Sequence, residues 1–194
     1  MQATRRDLLR ATLGVAAAAQ FSGACSLFGG PGQRMHGRRG ASPEDYMRMA
    51  IELVRGDPFP YGALLVNRAS GEVVGVGGNR SLENPTRHGE IVAIDDYFSR
   101  LGWFGDLEKA ISGLRDMALY TTAEPCAMCI GAIAWARIPE VYFGSSIPFL
   151  IQNDQWQIDI RAATIANAVS FEKTKTKLTG GILEAECNAL FAKR

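Results

Sequence analysis

The chain has 194 residues, 47% of them hydrophobic, with a formal net charge of +1. That length and composition suit one domain with a sizeable core, and exclude a disordered chain, a repeat array or a small disulfide-stapled scaffold. The charge is unevenly placed: residues 1–40 carry six arginines against one aspartate, so residues 41–194 are net −4 and offer no broad attraction for a nucleic-acid backbone.

Thr4-Arg5-Arg6-Asp7-Leu8-Leu9 precedes an Ala-rich apolar run from Ala11 to Phe21. The run is shorter than the ~20 apolar residues a spanning helix needs. Paired arginines before a short apolar segment fit a secretory signal, and the segment resembles the twin-arginine type. Ser22-Gly23-Ala24-Cys25 resembles a lipoprotein processing site, which would make Cys25 a lipidated membrane anchor. The expected organisation is an export signal over residues 1–25, a Gly- and Arg-rich flexible linker over 26–41, and one domain over 42–194, with a periplasmic location. His36 falls in the linker and reads as solvated.

Ser42-Pro43-Glu44-Asp45 is a helix start: a capping hydroxyl, a first-turn proline and acids at the positive helix end. Tyr46, Met49, Ala50, Leu53 and Val54 recur at helical spacing until Gly56-Asp57-Pro58 stops them. Two apolar runs, 62–67 and 72–76, flank Arg68-Ala69-Ser70-Gly71 and read as a hairpin. A polar loop over 79–87 leads to a helix over 88–101. The stretch 101–115 is a loop or short helix, and 117–121 a strand. Pro125 opens a helix to about Ala136; being apolar on nearly every face, it is expected to be buried, with Trp135 packed in the core. A strand follows over 140–144. Residues 145–167 read as loop plus a short helix near 161–168, with a fifth strand within 170–179 and a closing helix over 183–192. Strands alternating with helices imply an α/β fold with helices on both faces of one sheet.

His88-Gly89-Glu90 and Pro125-Cys126-Ala127-Met128-Cys129 each stand at a helix start. Cysteines three apart on a helical turn share a face, so both thiolates reach one ion. A helix N-terminus favours their ionised form, and Pro125 fixes the chain's entry there. His88 supplies a third, neutral ligand. Three protein ligands leave a tetrahedral zinc one open corner for water, the mark of a catalytic rather than a structural site. Glu90, two residues past His88, is placed to move protons without binding the metal. A Cys-x-x-Cys alone also fits a redox pair, and His-x-Glu alone carries little information; together, and in this order, they favour metal chemistry.

His-x-Glu followed by Pro-Cys-x-x-Cys is the signature of zinc nucleobase deaminases. With Pro60-Tyr61-Gly62-Ala63, Gly78-Asn79-Arg80, Asn84-Pro85-Thr86-Arg87 and Gly131-Ala132-Ile133, the chain resembles the cytidine deaminase superfamily over about residues 43–145. Within that superfamily it looks like the guanine deaminase and tRNA adenosine deaminase branch. The resemblance implies a three-layer α/β/α sandwich on a five-stranded mixed sheet, a Zn2+ cofactor and a homodimer. It also implies Glu90 as the catalytic acid–base, with Asn79 and Gly89 contacting substrate. The superfamily usually has alanine where Gly89 stands.

An exported, net-acidic chain points to a free nucleobase or nucleoside, guanine-like purines first, rather than a polynucleotide. Two other readings stay open: a tRNA adenosine-to-inosine deaminase, and a non-catalytic periplasmic protein that binds zinc or nucleobases. Residues 147–156 and the closing helix with Phe191 are expected to wall the pocket. Trp156 would either pack in the core or stack on a flat ring, and Asp154 would meet a guanine edge. Asp95-Asp96 does not read as a second metal site.

Overall fold

The computed structural model describes residues 37–101, 107–171 and 175–193. The signal segment, Cys25, His36 and most of the linker lie outside these residues. No helix among those described is long and apolar enough to cross a membrane.

Helix α1 (Pro43–Leu53) starts on a complete capping box: the Ser42 hydroxyl accepts from the Asp45 amide at 3.3 Å, and the Asp45 carboxylate accepts from the Ser42 amide at 3.0 Å. The chain then pairs β1 (Gly62–Asn67) with β2 (Val73–Gly78) as an antiparallel hairpin. The remaining elements are α2 (Gly89–Arg100), α3 (Leu107–Leu114), β3 (Met117–Ala123), α4 (Ala127–Trp135), β4 (Glu140–Ser145), α5 (Ile147–Gln152), α6 (Ala162–Ala168), β5 (Lys177–Thr179) and α7 (Glu184–Phe191). The sheet runs β2-β1-β3-β4-β5, antiparallel through β2, β1 and β3 and parallel from β3 through β4 to β5. It is a five-stranded mixed sheet, as expected.

The central strands are buried on both faces, and alternation sorts their side chains into two cores. Leu65, Leu119 and Val141 face Ile94, Ile130, Ile133 and Ala162 of α2, α4 and α6. Leu64, Val66 and Tyr120 face Met47, Ala50 and Cys187 of α1 and α7. Helices therefore cover both faces, giving three layers. The α2–β2 contact is unusually close: a methyl group on Gly77 would collide with the Gly89 carbonyl and the Ala93 amide. Only glycine permits that approach, and it fixes where α2 begins.

Four expectations change. Pro125 does not open α4; it precedes the N-cap, Cys126, and helix starts at Ala127. Residues 147–152 form α5, which the sequence left as loop. A second proline helix start, Ser146-Ile147-Pro148, was the available signal, with Ser146 Oγ accepting from the Phe149 amide at 3.4 Å. Trp135 is not core: it is 70% exposed and stacks on Phe171 with ring centroids 4.4 Å apart. Helix α4 buries Ile130, Ile133 and Ala134 on one side only, so its all-round apolar pattern reflects an uncovered face rather than full burial.

Candidate metal centre and active site

His88 and Cys126 occupy matching positions. Each is the N-cap of its helix, with φ/ψ of −71°/162° for His88 and −65°/171° for Cys126, and neither side chain caps its own helix. Both side chains are thereby released toward the gap between α2 and α4. Cys129 lies in the first turn of α4 and is fully buried. The three donor atoms form a nearly equilateral triangle: Cys126 Sγ to His88 Nδ1, Cys129 Sγ to His88 Nδ1, and Cys126 Sγ to Cys129 Sγ are each 3.6 Å.

Those separations discriminate between a metal face and a disulfide. A disulfide needs its sulfurs about 2.0 Å apart. Zinc–sulfur bonds of about 2.3 Å and zinc–nitrogen bonds of about 2.0–2.1 Å at tetrahedral angles put their donors about 3.5–3.8 Å apart. The observed triangle matches the second case, so the residues present fit zinc. Among the described residues, no fourth histidine, cysteine or acid joins the group.

The local electrostatics favour an ionised thiolate at Cys126. A hydrogen bond from the Cys129 thiol, with His88 alongside, pulls the Cys126 thiol down to about 4. The hydrogen bond shared with Cys126, together with burial and the Glu90 charge, pushes Cys129 upward. His88 is raised by its hydrogen bond to Cys126. Two α-helix N-termini also direct their partial positive charge at this point, which stabilises ionised thiolates.

Glu90, in the first turn of α2, is 4% exposed. Loss of solvation pushes its carboxyl up to about 7. Beside it, Gly89 is buried, and a methyl group there would sit 2.5 Å from the Tyr61 carbonyl oxygen. The glycine that departs from the resembled pattern is thus matched to a tight backbone contact. Asn79 follows β2, and its Oδ1 accepts the Ser81 amide at 2.8 Å, which fixes the turn. Asp96 accepts the Val76 amide at 2.9 Å and pairs with Arg100 at 2.8 Å, a structural role for that acid.

Glu124 is buried directly before Pro125-Cys126, and sequence reasoning gave it no role. Its carboxylate accepts the Ile147 amide at the start of α5 (3.0 Å), the Ala162 amide at the start of α6 (3.0 Å), and Arg161 Nε (2.9 Å). One acid thereby caps two helices and ties them to the metal helix. The only sequence signal was an acid adjoining a Pro-Cys-x-x-Cys motif.

The residues expected to wall the pocket divide between the surface and the interior. Trp156 is 98% exposed and is not part of the core. Its neighbours on either side point inward: Tyr61 hydroxyl lies 3.3 Å from Gln155 Oε1 and 3.5 Å from Gln157 Nε2. In extended chain, adjacent side chains alternate sides, so an inward Gln155 and Gln157 force Trp156 out. Asp154 takes a left-handed φ of 58° and pairs with Lys193 at 2.8 Å on the surface. Phe191 of α7 packs on the Tyr61 ring at 4.8 Å. A cavity of about 190 Å³ lies at the opposite end of α4, lined by Ala134, Arg137 and Ile138 among others, and includes none of the triad.

Residues 41–145 match the model of the cytidine and deoxycytidylate deaminase zinc-binding region. The chain belongs to this deaminase family. The tRNA-specific adenosine deaminase of Haemophilus influenzae is 32% identical over 158 residues, covering 75% of this chain and 78% of that protein. The tRNA-specific adenosine deaminase 2 of Danio rerio is 38% identical over 99 residues, with the match spanning 50% of this chain and only 44% of that protein. Among solved structures, the NE0047 protein in complex with 2,6-diaminopurine superposes with a TM-score of 0.66 at 28% identity, over 81% of this chain and 83% of that one. A guanine deaminase from Nitrosomonas europaea gives 0.65 at 26% identity, over 81% and 86%. Membership of this zinc-binding family agrees with a geometry in which His88, Cys126 and Cys129 are positioned to hold a metal ion.

Proposed function

We propose that the chain hydrolytically deaminates a free nucleobase or nucleoside, with a guanine-like purine favoured, and releases ammonia. The observation that carries the catalytic reading is the 3.6 Å donor triangle with buried Glu90 beside it. When bound, zinc supplies Lewis acidity, lowering the pKa of a coordinated water from about 15.7 toward about 7.

Glu90 takes a proton from the attacking water and delivers it to the ring nitrogen next to the amine-bearing carbon. The water oxygen bonds to that carbon. Glu90 then carries the second proton to the amine as the carbon–nitrogen bond breaks, leaving a carbonyl and ammonia. Burial that places the carboxyl near neutrality suits a group that must serve as base and then as acid. First-turn amides of a helix lack intrahelical partners, so the Gly89 N–H is assigned to an acceptor on the substrate, and the Asn79 amide to its edge or sugar.

The small-molecule choice is supported by the likeness to proteins solved with a free purine or named as a guanine deaminase, and by the acidic body of the chain. The tRNA reading is kept because curated relatives carry that name. Ammonia release by the zinc-loaded chain is measured with guanine, adenine, cytosine, their nucleosides and aminotriazines, alongside inosine formation in a tRNA stem-loop. Turnover of guanine with no inosine formation is expected. Inosine formation alone would transfer the reading to tRNA, and zinc content without turnover of any amine would make the protein a binder. Glu90→Gln is expected to retain zinc and lose turnover; a fully active variant would refute the proton role.

Two further proposals accompany this reading. The exposed α4 face around Trp135 supports a homodimer. The N-terminal residues support export, with lipidation at Cys25, tested by cell fractionation and mass spectrometry of the processed chain.

A further inference from the structure

Residues 37–41 are clasped against the β1–β2 turn. A methyl group on Gly71 would sit 2.8 Å from the Arg38 carbonyl oxygen. The Tyr46 hydroxyl donates to the Gly71 carbonyl at 3.0 Å and lies 3.5 Å from that of Arg38. Beside this clasp opens a cavity of about 400 Å³ whose lining includes Arg39, Arg68, Asn67, Ala118 and Glu140. Arg68 pairs with Glu140 at 2.9 Å and donates to the Arg115 carbonyl at 3.0 Å. A guanidinium has five N–H donors, so two bonds leave it others. Glu140 is held by Arg68 and also accepts the Tyr142 hydroxyl at 2.9 Å. Asp45, in the adjoining cavity, caps its own helix and pairs with Arg48. Arg39 stands exposed and gives the cavity its excess positive charge. This end lies across the sheet from the metal centre. Strand β1 starts at Gly62, next to the Tyr61 carbonyl that abuts Gly89, and ends at Asn67 in the cavity wall. Strand β3 runs from the cavity wall at Ala118 to Ala123, just before the metal helix. At about 3.3 Å per residue, strands of this length separate the two ends by roughly 17–20 Å.

We propose that this end of the sheet docks on the headgroups of an anionic bilayer, with a lipid phosphate drawn into the cavity by Arg39 and Arg68. The inference rests on the reading above that the N-terminal residues lead to a membrane. The described structure begins at Gly37, beside the cavity, twelve residues after Cys25. Twelve residues span at most about 43 Å, so a chain anchored at Cys25 keeps this end near the bilayer. One acyl chain holds a protein only marginally, and a basic patch is a second signal that makes anchoring stable. Arginine suits the phosphate because its planar fork of donors matches two oxygens. Residues 41–194 are net −4, so an anionic surface is repelled by the body as a whole and admitted only where cations gather. The same net charge disfavours a polynucleotide, which needs cations along an extended track. Docked in this way, the chain turns its metal end away from the bilayer and leaves it open to soluble substrate.

The test uses the full, zinc-loaded chain with vesicles of phosphatidylcholine alone or mixed with phosphatidylglycerol. Partition is read by sedimentation, and the contact is mapped by hydrogen exchange. The neutral vesicles read the contribution of the apolar N-terminal run, which every variant shares. Each cation near an anionic bilayer strengthens binding about 5-fold, so the mixed vesicles are expected to bind the parent at least about 10-fold more tightly. Amides of residues 38–41 and 68–71 are expected to gain protection, and those of 155–160 none. Arg39→Glu is expected to lose about 10-fold on the mixed vesicles and nothing on the neutral ones, and Arg68→Gln about 5-fold, both with zinc content unchanged. Arg55→Glu makes the same charge change as Arg39→Glu beyond the other end of α1, and should lose under about 2-fold, because screening confines the effect to about 8–10 Å. Equal losses in Arg39→Glu and Arg55→Glu, no preference of the parent for mixed vesicles, or protection centred on Trp156 and Ile158 overturns the inference. Release of the bound chain by inorganic phosphate or by tRNA, beyond that given by chloride at equal ionic strength, also overturns it and assigns the cavity to a free anion or to nucleic acid. None of these outcomes touches the deaminase reading, and the membrane reading is judged separately by the mass of the processed chain.

Discussion

Glu124 offers a severe test of how the site is held. Replacing it with alanine removes the acceptor for two buried helix-start amides, Ile147 and Ala162, and for Arg161. A buried donor left without a partner costs about 1–3 kcal/mol. Two such donors put Glu124→Ala at about 3–5 kcal/mol once partial relaxation is allowed. For a chain of this size each kcal/mol shifts Tm by about 2–4 °C, so a loss of roughly 6–20 °C is expected. Glu124→Gln keeps one acceptor oxygen and should lose about half as much. Arg161→Ala should lose under about 1 kcal/mol, because the Arg161 side chain is 51% exposed and its ion pair is screened. Differential scanning fluorimetry of the three variants reads the order directly. If Arg161→Ala is as damaging as Glu124→Ala, the carboxylate acts as an ion-pair partner and the helix-capping argument fails.

Gly89→Ala restores the residue the family usually carries, and still should lower Tm, by about 1–3 kcal/mol in stability, because the new methyl group meets the Tyr61 carbonyl at 2.5 Å; a stabilised variant would refute the close contact. Chelation of zinc should lower Tm by an amount reversed on adding zinc, about 2.7 kcal/mol when free zinc stands 100-fold above its Kd, and Cys126→Ser should abolish the effect. Cys187 is buried and its thiol is pushed up to about 12. The neutral form therefore persists through the ordinary range and its thiolate appears only as pH rises toward 12, so peptide mass spectrometry should find Cys187 unlabelled by iodoacetamide at pH 8 in the native chain and labelled after unfolding. Trp135→Lys should leave the monomer fold intact and abolish the proposed dimer in sedimentation; a persistent dimer would place the interface elsewhere.

Local chemistry was readable wherever a few neighbouring residues decide the outcome. The capping box of Ser42 and Asp45, the hairpin through Gly71, and the Cys126–Cys129 spacing all act within one turn of chain. The same holds for Glu90 two residues from His88. The sheet's strands were found because their apolar runs are bounded by turn residues, although β2 and β3 run two residues further than those runs suggested.

Contacts joining distant segments were decided by the fold. Tyr61 meets Gln155 across 94 positions, and Glu124 meets Ala162 across 38; no periodicity encodes either. The sequence marked Trp135 as core and Trp156 as core or stacking, yet Trp156 stands in solvent and Trp135 is largely exposed, stacked only on Phe171, because hydrophobicity sets a preference for burial while the packing of neighbouring elements sets which faces are covered. The sequence by itself singled out the groups proposed to bind a metal and move a proton, since that chemistry is carried by residue type at short spacing. Only the tertiary structure decided which side chains surround them, since that depends on the directions in which separately formed elements meet.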